Sequence, residues 1–521
     1  MTELRSLDQI EVKLAGAIQT PYELAVATAR TCYSGKGIIW PDDVSANEKS
    51  IALRDRIASS TLEAGHLTTR QHASFVFAIS GVSRQFIWNF LHSHPYYNSE
   101  QVSQRYVRVK PDNFLLPPLP ESCARIYKEC VFRQIATYER LIDLLREPIS
   151  ADYYTRFPAR KKDPNRWGGN VDKRAFEVSR YVLGIGTTAY LYHTVSALTL
   201  LRYNRLIQLF DTPMEQKIVV EKMLDAVRAL DPLFEKDIVD PVPLEQTLEA
   251  QHFHSIRGPE ASQRFIEEFD RSLEGHTSKL IHATENAEGV LAHSVRVMLG
   301  LATSELSNEA AVDLVLNPKT NPVLADTLNP SVLDRASQCL HHVSFTFHKK
   351  ISHTADSQDQ RHRTVLSSRP GLSLHYTGRP DFITPFGITQ SPEAQELYEK
   401  TIRNSFETIN QVLDAGVSRE FALYLLPNAF PIRMISSGAL HGWHHKWKMR
   451  SCYNAQEEIF RATIEEVRQV ATRFPVIGRH LKAPCYLRLQ AGTKPFCPEG
   501  DKFCGLPVWK YTIDQYQRKS L

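Results

Sequence analysis

Hydrophobic and polar positions alternate over His72-Ala-Ser-Phe-Val-Phe77 and again over His342-Val-Ser-Phe-Thr-Phe347. This pattern predicts two strands of one design, each feeding a loop able to carry a site. A stretch with helical spacing precedes each hexad, Ser50 to Glu63 and Pro330 to Leu340. Behind Pro117, Pro118 and Pro120, the run from Ser122 to Arg146 predicts a long helix. From Tyr181 to Leu201 no residue is charged. A membrane span is one reading, but the His, Gly, Tyr, Thr and Ser within the run make its transfer to lipid poor, so a buried core helix is expected. On that reading Thr187 to Gln208 and Ile432 to Met449 are matching amphipathic helices.

The hexads are one landmark of an internal repeat. A second is Ser179-Arg-Tyr-Val-Leu-Gly184, echoed by Ala422-Leu-Tyr-Leu-Leu-Pro427 in the same order. The chain therefore divides into a first repeat over 10–235, a polar connector over 236–274, a second repeat over 275–480 and a Cys-bearing tail over 481–521.

Composition narrows the class. The chain has 521 residues, 42% hydrophobic and 23% charged, which is globular rather than disordered. A net charge of +4 gives no field for nucleic acid. Eight Cys are too few for a secreted disulfide scaffold of this length, and the first residues show no apolar leader segment. A cytoplasmic protein without membrane or nucleic-acid partners is expected.

Candidate chemistry concentrates in two loops. Arg361-His-Arg363 places two guanidinium groups around an imidazole, suited to phosphate, carboxylate or a planar ring. In the first repeat, Ser103-Gln-Arg-Tyr106 offers a hydroxyl, an Arg and loop amides to an anionic nucleotide. A helix start capped by Ser103 is the structural alternative.

Taken with Ala29-Arg-Thr-Cys-Tyr-Ser34, Ala64-Gly-His-Leu67, Gly81-Val-Ser-Arg84, Leu425-Leu-Pro-Asn-Ala429 and the stretch from Gly438 to Arg450, the chain resembles the flavin-dependent thymidylate synthase family as a diverged tandem duplication. The resemblance implies an α/β fold of small antiparallel sheets flanked by helices, with sites where subunits meet. It implies FAD as cofactor, NADPH and methylene-tetrahydrofolate as co-substrates, and methylation of dUMP to dTMP. Ser103 and Arg105 are implied as catalytic, and Ser103, Gln104, Arg105, Tyr106, Arg180 and His441 as nucleotide-binding. His72, Arg361, His362, Arg363, Asn428 and Arg433 are implied toward the flavin. Duplication of a tetrameric family's subunit implies a homodimer that forms a pseudo-tetramer.

Each repeat departs from the family pattern in a complementary way. The first has Ser93-His94-Pro95 where Arg-His-Arg belongs, whereas the second has Gly371 in place of the loop Ser and Leu423 in place of Arg180. The family's Asn-x-Arg reads Ser196-Ala-Leu198 in one repeat and Ala439-Leu-His441 in the other. Composite sites shared by the repeats are expected. A diverged paralogue acting on another uracil-containing substrate, or a non-catalytic scaffold, is the alternative. Separately, Cys452, Cys485, Cys497 and Cys504 form a candidate metal set for zinc or an iron–sulfur cluster, although no close Cys pair of the zinc-ribbon type is present.

Overall fold

Both hexads open strands, as their alternation predicts. In the computed structural model, which describes residues 3–208, 211–248, 250–251 and 259–518, each repeat builds one four-stranded antiparallel sheet. The first contains β1 (Glu11–Ala17), β2 (Ser74–Ser83), β3 (Asn98–Gln101) and β4 (Thr188–Ser196), ordered β1-β2-β4-β3. The second contains β5 (Ser278–Ala283), β6 (Ser344–Ser352), β7 (Leu366–Ser368) and β8 (Pro431–Ala439), ordered β5-β6-β8-β7. Identical strand order in the two halves is the structural signature of duplication. The fold is α/β, with helices flanking both sheets.

The uncharged run is not one helix. Arg180–Val182 forms a single 3-10 turn, β4 follows, and a helix begins only at Ala197. The reason is a period of two: Leu191, His193 and Val195 are buried while Tyr190 and Tyr192 are exposed. β-branched and aromatic side chains suit such a half-buried pleated surface better than a helix. Ile432 to Met449 divides likewise, into β8 and a helix over Leu440–Arg450. The long helix after the prolines runs over Glu121–Arg156. Among the described residues, no helix is long and apolar enough to cross a membrane.

The connector is more ordered than its polar composition suggests. Its residues 259–272 form a helix (Pro259–Ser272), and Phe269 stacks on His348 of β6 with ring centroids 4.9 Å apart. Residues 249 and 252–258 of the connector lie outside the described ones.

Serine ends the second strand of each sheet and caps the next helix. Ser83 Oγ accepts from the Phe86 amide (2.9 Å), starting the Arg84–His92 helix. Ser352 Oγ accepts from the Ala355 amide (3.1 Å), starting the His353–Asp359 helix. These helices carry Arg84 and Gln358 toward the junction between repeats.

At that junction the second landmarks meet. Gly184 and Pro427, equivalent in the two repeats, form an antiparallel bridge. Around it the Ile185 amide donates to Leu426 O (2.9 Å) and the Asn428 amide to Leu183 O (2.8 Å). The internal two-fold axis therefore passes between these segments. Glycine is required here, because a Cβ at Gly184 would stand 2.7 Å from Tyr424 O. The Glu121–Arg156 and Pro392–Asp414 helices cross the junction, joined by Thr137 and Thr401 hydroxyls 2.8 Å apart and by Gln134 Nε2 donating to Ser405 Oγ (3.0 Å). One hydrophobic core runs through both repeats, from Phe75, Phe77 and Ile79 to Ile402, Phe406 and Ile432.

Candidate functional site

Beside the junction lies a pocket with about 730 Å³ of empty space, part of it open to solvent. The first repeat contributes Ser103, Gln104, Arg105, Tyr106 and Arg180 to its walls, and the second Gln358, Arg361 and Asn428. The structure thus joins the loop of one repeat to the Arg-His-Arg of the other.

Local contacts set this loop. Arg84 holds its start, donating from Nη1 to Gln101 Oε1 (2.7 Å) and from Nη2 to Val102 O (2.6 Å). Ser103 Oγ accepts from the Arg105 amide (3.2 Å), a turn within the loop rather than a helix cap. Asn428 Nδ2 donates to Gln104 Oε1 (3.3 Å) and Arg180 O (3.0 Å), so it lies at the Ser103–Tyr106 loop. Arg105 pairs with Glu177 and donates from Nη2 to Asn454 O (2.8 Å). Burial opposes the charge of Glu177, but Arg105, Arg174, Arg518 and Arg180 hold it down at about 2. Glu177 therefore stays ionised and anchors Arg105.

Several donors around the pocket have no partner. Gln104 Nε2, Arg180 Nη2, Arg84 Nε and Gln358 Nε2 are buried and make no hydrogen bond to described residues. Burial and the adjacent Arg180 push Arg84 down to about 9. Two guanidinium groups side by side with unused N–H groups are costly in an empty protein and favourable around an anion. Arg84, in Gly81-Val-Ser-Arg84, and Gln358, one turn ahead of Arg361, carry no local signal of the pocket beyond their place beside these motifs.

A second cleft, with about 1190 Å³ of empty space, shares the Arg361–Arg363 segment. His362 and Arg363 line it with His92 and Tyr97 of the first repeat and with Asp359 and Lys446 of the second. Burial, then the neighbouring Arg450, pushes His362 well below the usual imidazole range. The imidazole is therefore neutral: Nε2 accepts from Arg450 Nε (2.8 Å), leaving an unpartnered N–H at Nδ1. Asp359 Oδ1 and Gln360 Oε1 are buried, unpartnered acceptors close by. This mixed set of donors and acceptors fits the edge of a heterocycle such as a flavin ring.

Three expected residues stand elsewhere. His72 is exposed at the turn before β2 and lines neither cleft. Arg433 is saturated by Asp270 (2.7 Å) and Asp381 (2.9 Å), because the connector helix brings Asp270 onto β8. His441 stacks on His341 with centroids 4.4 Å apart, since its helix turns that face away from the junction.

The equivalent loop of the second repeat is occupied from within. Asp211 accepts from the Leu372 amide (2.6 Å) and the Ser373 hydroxyl (2.8 Å). A Cβ on Gly371 would stand 2.8 Å from Asp211 Oδ1, so a serine there would clash with this carboxylate. Asp211 precedes Glu215 by the interval at which Asn454 precedes Glu458. The two loops thus meet equivalent positions, one with a carbonyl and the other with an anion.

Two α/β repeats of one strand order line a shared, donor-rich pocket between them. The sequence profile described as "Thymidylate synthase complementing protein" matches residues 13–233 and 279–476, and the chain belongs to this family, the flavin-dependent thymidylate synthases. The chain is 30% identical to the flavin-dependent thymidylate synthase of Geobacter sulfurreducens over 170 residues, covering 32% of this chain and 70% of that protein. It is 24% identical to that of Clostridium tetani over 226 residues, covering 43% of this chain and 84% of that protein. Among solved structures, a UMP/dUMP methylase, PolB, from Streptomyces cacaoi bound with 5-Br dUMP aligns at 19% identity and a TM-score of 0.32. That alignment covers 45% of this chain and 96% of that one, too loose a fit to bear on function.

Proposed function

We propose that the chain methylates dUMP to dTMP with methylene-tetrahydrofolate and NADPH, at one composite site per chain. The observation that carries this reading is the pocket in which Ser103, Gln104 and Arg180 of one repeat face Gln358 and Arg361 of the other, with four buried donors unused. Arg84, Arg180 and Arg361 would receive the phosphate, each charge-assisted bond contributing about 1.5–3 kcal/mol. Gln104, held at its oxygen by Asn428, turns its N–H groups toward the carbonyl edge of a pyrimidine. Arg105 is fixed by Glu177 and Asn454, and Ser103 shapes the loop that orients the base.

The flavin belongs in the adjoining cleft, held by His362 and Arg363. Bound there and reduced, FAD would supply hydride, leaving the protein to orient and polarise the partners. Because Arg361 and His362 are consecutive, base and ring would be positioned by one rigid segment. The closed second loop supports one site in each chain rather than two, and a homodimer would carry two sites. Purified protein should be yellow and should release tritium from 5-tritiated dUMP when given methylene-tetrahydrofolate and NADPH. Yellow protein inert toward dUMP would transfer the reading to another uracil-containing substrate, and protein that stays colourless after flavin soaking would end it.

A further inference from the structure

A third pocket opens outside the Ser103–Tyr106 loop, on elements that the second repeat lacks. The Glu121–Arg156 helix has 36 residues against 23 in its counterpart, Pro392–Asp414. It continues through a 3-10 turn (Pro158–Lys162) into a further helix, Pro164–Ser179, before Arg180 is reached. The opposite wall is the tail from Glu499 to Cys504, beyond the family match, which ends at residue 476. Contacts fix the tail against the added segment. Arg156 Nη1 donates to Cys504 O (3.1 Å), and Phe503 meets Phe157 edge-on with ring centroids 6.4 Å apart. Asn454 Nδ2 donates to Lys502 O (2.6 Å), which sets Lys502 at the rim.

The candidate metal set does not form beside this pocket. Cys452, Cys485, Cys497 and Cys504 line a smaller adjoining one. Among the described residues, however, no three His, Cys, Asp or Glu side chains are grouped so as to hold a metal ion. The four thiols come from separate segments, and no close pair seeds a site.

Charge sets the larger pocket apart. It has about 850 Å³ of empty space, part of it open to solvent, and is lined by six cationic side chains but only three carboxylates. Glu177 is already engaged by Arg105 and by Arg174 (3.2 Å). Among the described residues, Arg160, Lys173 and Lys502 are paired with no carboxylate. The Arg160 guanidinium lies 4.0 Å from the ring centres of both Phe157 and Trp167, and its Nη1 donates to the Tyr153 hydroxyl (2.8 Å). Held between two rings, this fork of N–H groups is fixed in orientation and suits an oxyanion. Arg156 Nε is buried without an acceptor among the described residues. Unpaired cations spread around one concave surface suit an extended polyanion better than a single carboxylate.

We propose that this pocket binds a chain of two or three phosphate groups, such as nucleoside di- and triphosphates and inorganic polyphosphates carry. Arg160, Lys173 and Lys502 receive the phosphate oxygens. Arg105 and Tyr106 line both this pocket and the composite one, so occupancy acts on the Ser103–Tyr106 loop. Binding itself is independent of the proposed reaction.

Calorimetric titration of the full-length protein with inorganic tripolyphosphate, dTTP and ATP tests this. One saturable tripolyphosphate site per chain is expected, and saturation with dUMP should not abolish it. Lys173→Gln and Arg160→Gln should each weaken binding about tenfold or more, whereas Arg180→Ala, in the composite pocket, should leave it unchanged. Equal affinity for the three ligands assigns the site to the phosphates alone, and tighter binding of dTTP or ATP assigns it to a nucleotide. No saturable binding of any of the three overturns the proposal, as does wild-type affinity in both Gln variants. Displacement of tripolyphosphate by dUMP, or its loss in Arg180→Ala, would put it in the composite pocket and overturn the proposal as well. Should Arg160→Gln fail to fold, Lys173→Gln, at a half-buried position on the Pro164–Ser179 helix, still decides.

Discussion

Tyr424 of the second repeat donates a 2.7 Å hydrogen bond to Glu215 of the first, and Tyr181 of the first returns it to Glu458 of the second at 2.6 Å. Each carboxylate also accepts from the serine that caps the helix after its own repeat's central strand, Ser83 Oγ for Glu215 and Ser352 Oγ for Glu458, both at 2.6 Å. Two reciprocal networks therefore lock the repeats together on either side of the axis, directly behind the helices that carry Arg84 and Gln358. Inter-repeat geometry and site geometry are set by the same side chains.

Tyr424→Phe should lower stability by about 1–3 kcal/mol, because a buried carboxylate loses a donor without gaining water. Urea unfolding of this variant, of Glu215→Gln and of the double variant forms a cycle. Effects that add within about 0.5 kcal/mol would show that the two residues are not coupled.

The contribution of Glu215 and Glu420 to stability should fall as pH rises through the window below 7. Burial pushes both Glu215 and Glu420 up to about 7, although hydrogen bonds oppose it. An unfolded Glu titrates near about 4.3, so between these values the folded chain binds protons that the unfolded chain has released. Bound protons in excess on these two carboxyls mean that their contribution is lost with each increment of pH, until both are ionised. Glu420→Gln should make the slope of unfolding midpoints against pH, measured from pH 5 to 7.5, more positive than in wild type. An unchanged slope would remove Glu420 from the account.

Arg180→Ala should weaken dUMP binding about 10- to 150-fold, the equivalent of one charge-assisted bond. Calorimetric titration with dUMP and with deoxyuridine separates the phosphate contribution. Equal losses for both ligands would place Arg180 at the base instead.

Saturation should require one nucleotide per chain, because Asp211 occupies the second loop. Equilibrium dialysis with radiolabelled dUMP measures this directly. A stoichiometry of two would mean that the Asp211 contact opens.

His362→Ala should lose flavin on gel filtration, whereas His72→Ala should retain it. The contrast follows from the buried, unpartnered Nδ1 of His362 and the exposed position of His72. The flavin-to-protein absorbance ratio reports both, and parallel behaviour of the two variants would contradict this placement.

Local pattern revealed much of the fold. Alternation identified β2 and β6, and the paired landmarks disclosed the duplication. Local pattern misleads over Thr187 to Gln208, where a strand and a helix adjoin without an intervening turn residue. Apolar content alone suggests a helix there, whereas the period of two at Tyr190 and Tyr192 marks the strand. At the site, the loop residues Ser103 to Tyr106 and Arg361 to Arg363 were legible because their chemistry lies in consecutive positions. His441 and Arg433 could not be placed that way, because a helix face and an ion pair with Asp270 decide where they point.

By itself the sequence determined that one domain occurs twice, which motifs each copy kept, and that their losses are complementary. Motif content is local, carried by neighbours along the chain. The tertiary structure alone decided that Arg180 and Gln358 share one pocket, that Asp211 fills the other loop, and that Cys452 meets Cys504. Those pairings join residues remote in sequence, and they arise from packing across the internal axis and from the path of the tail.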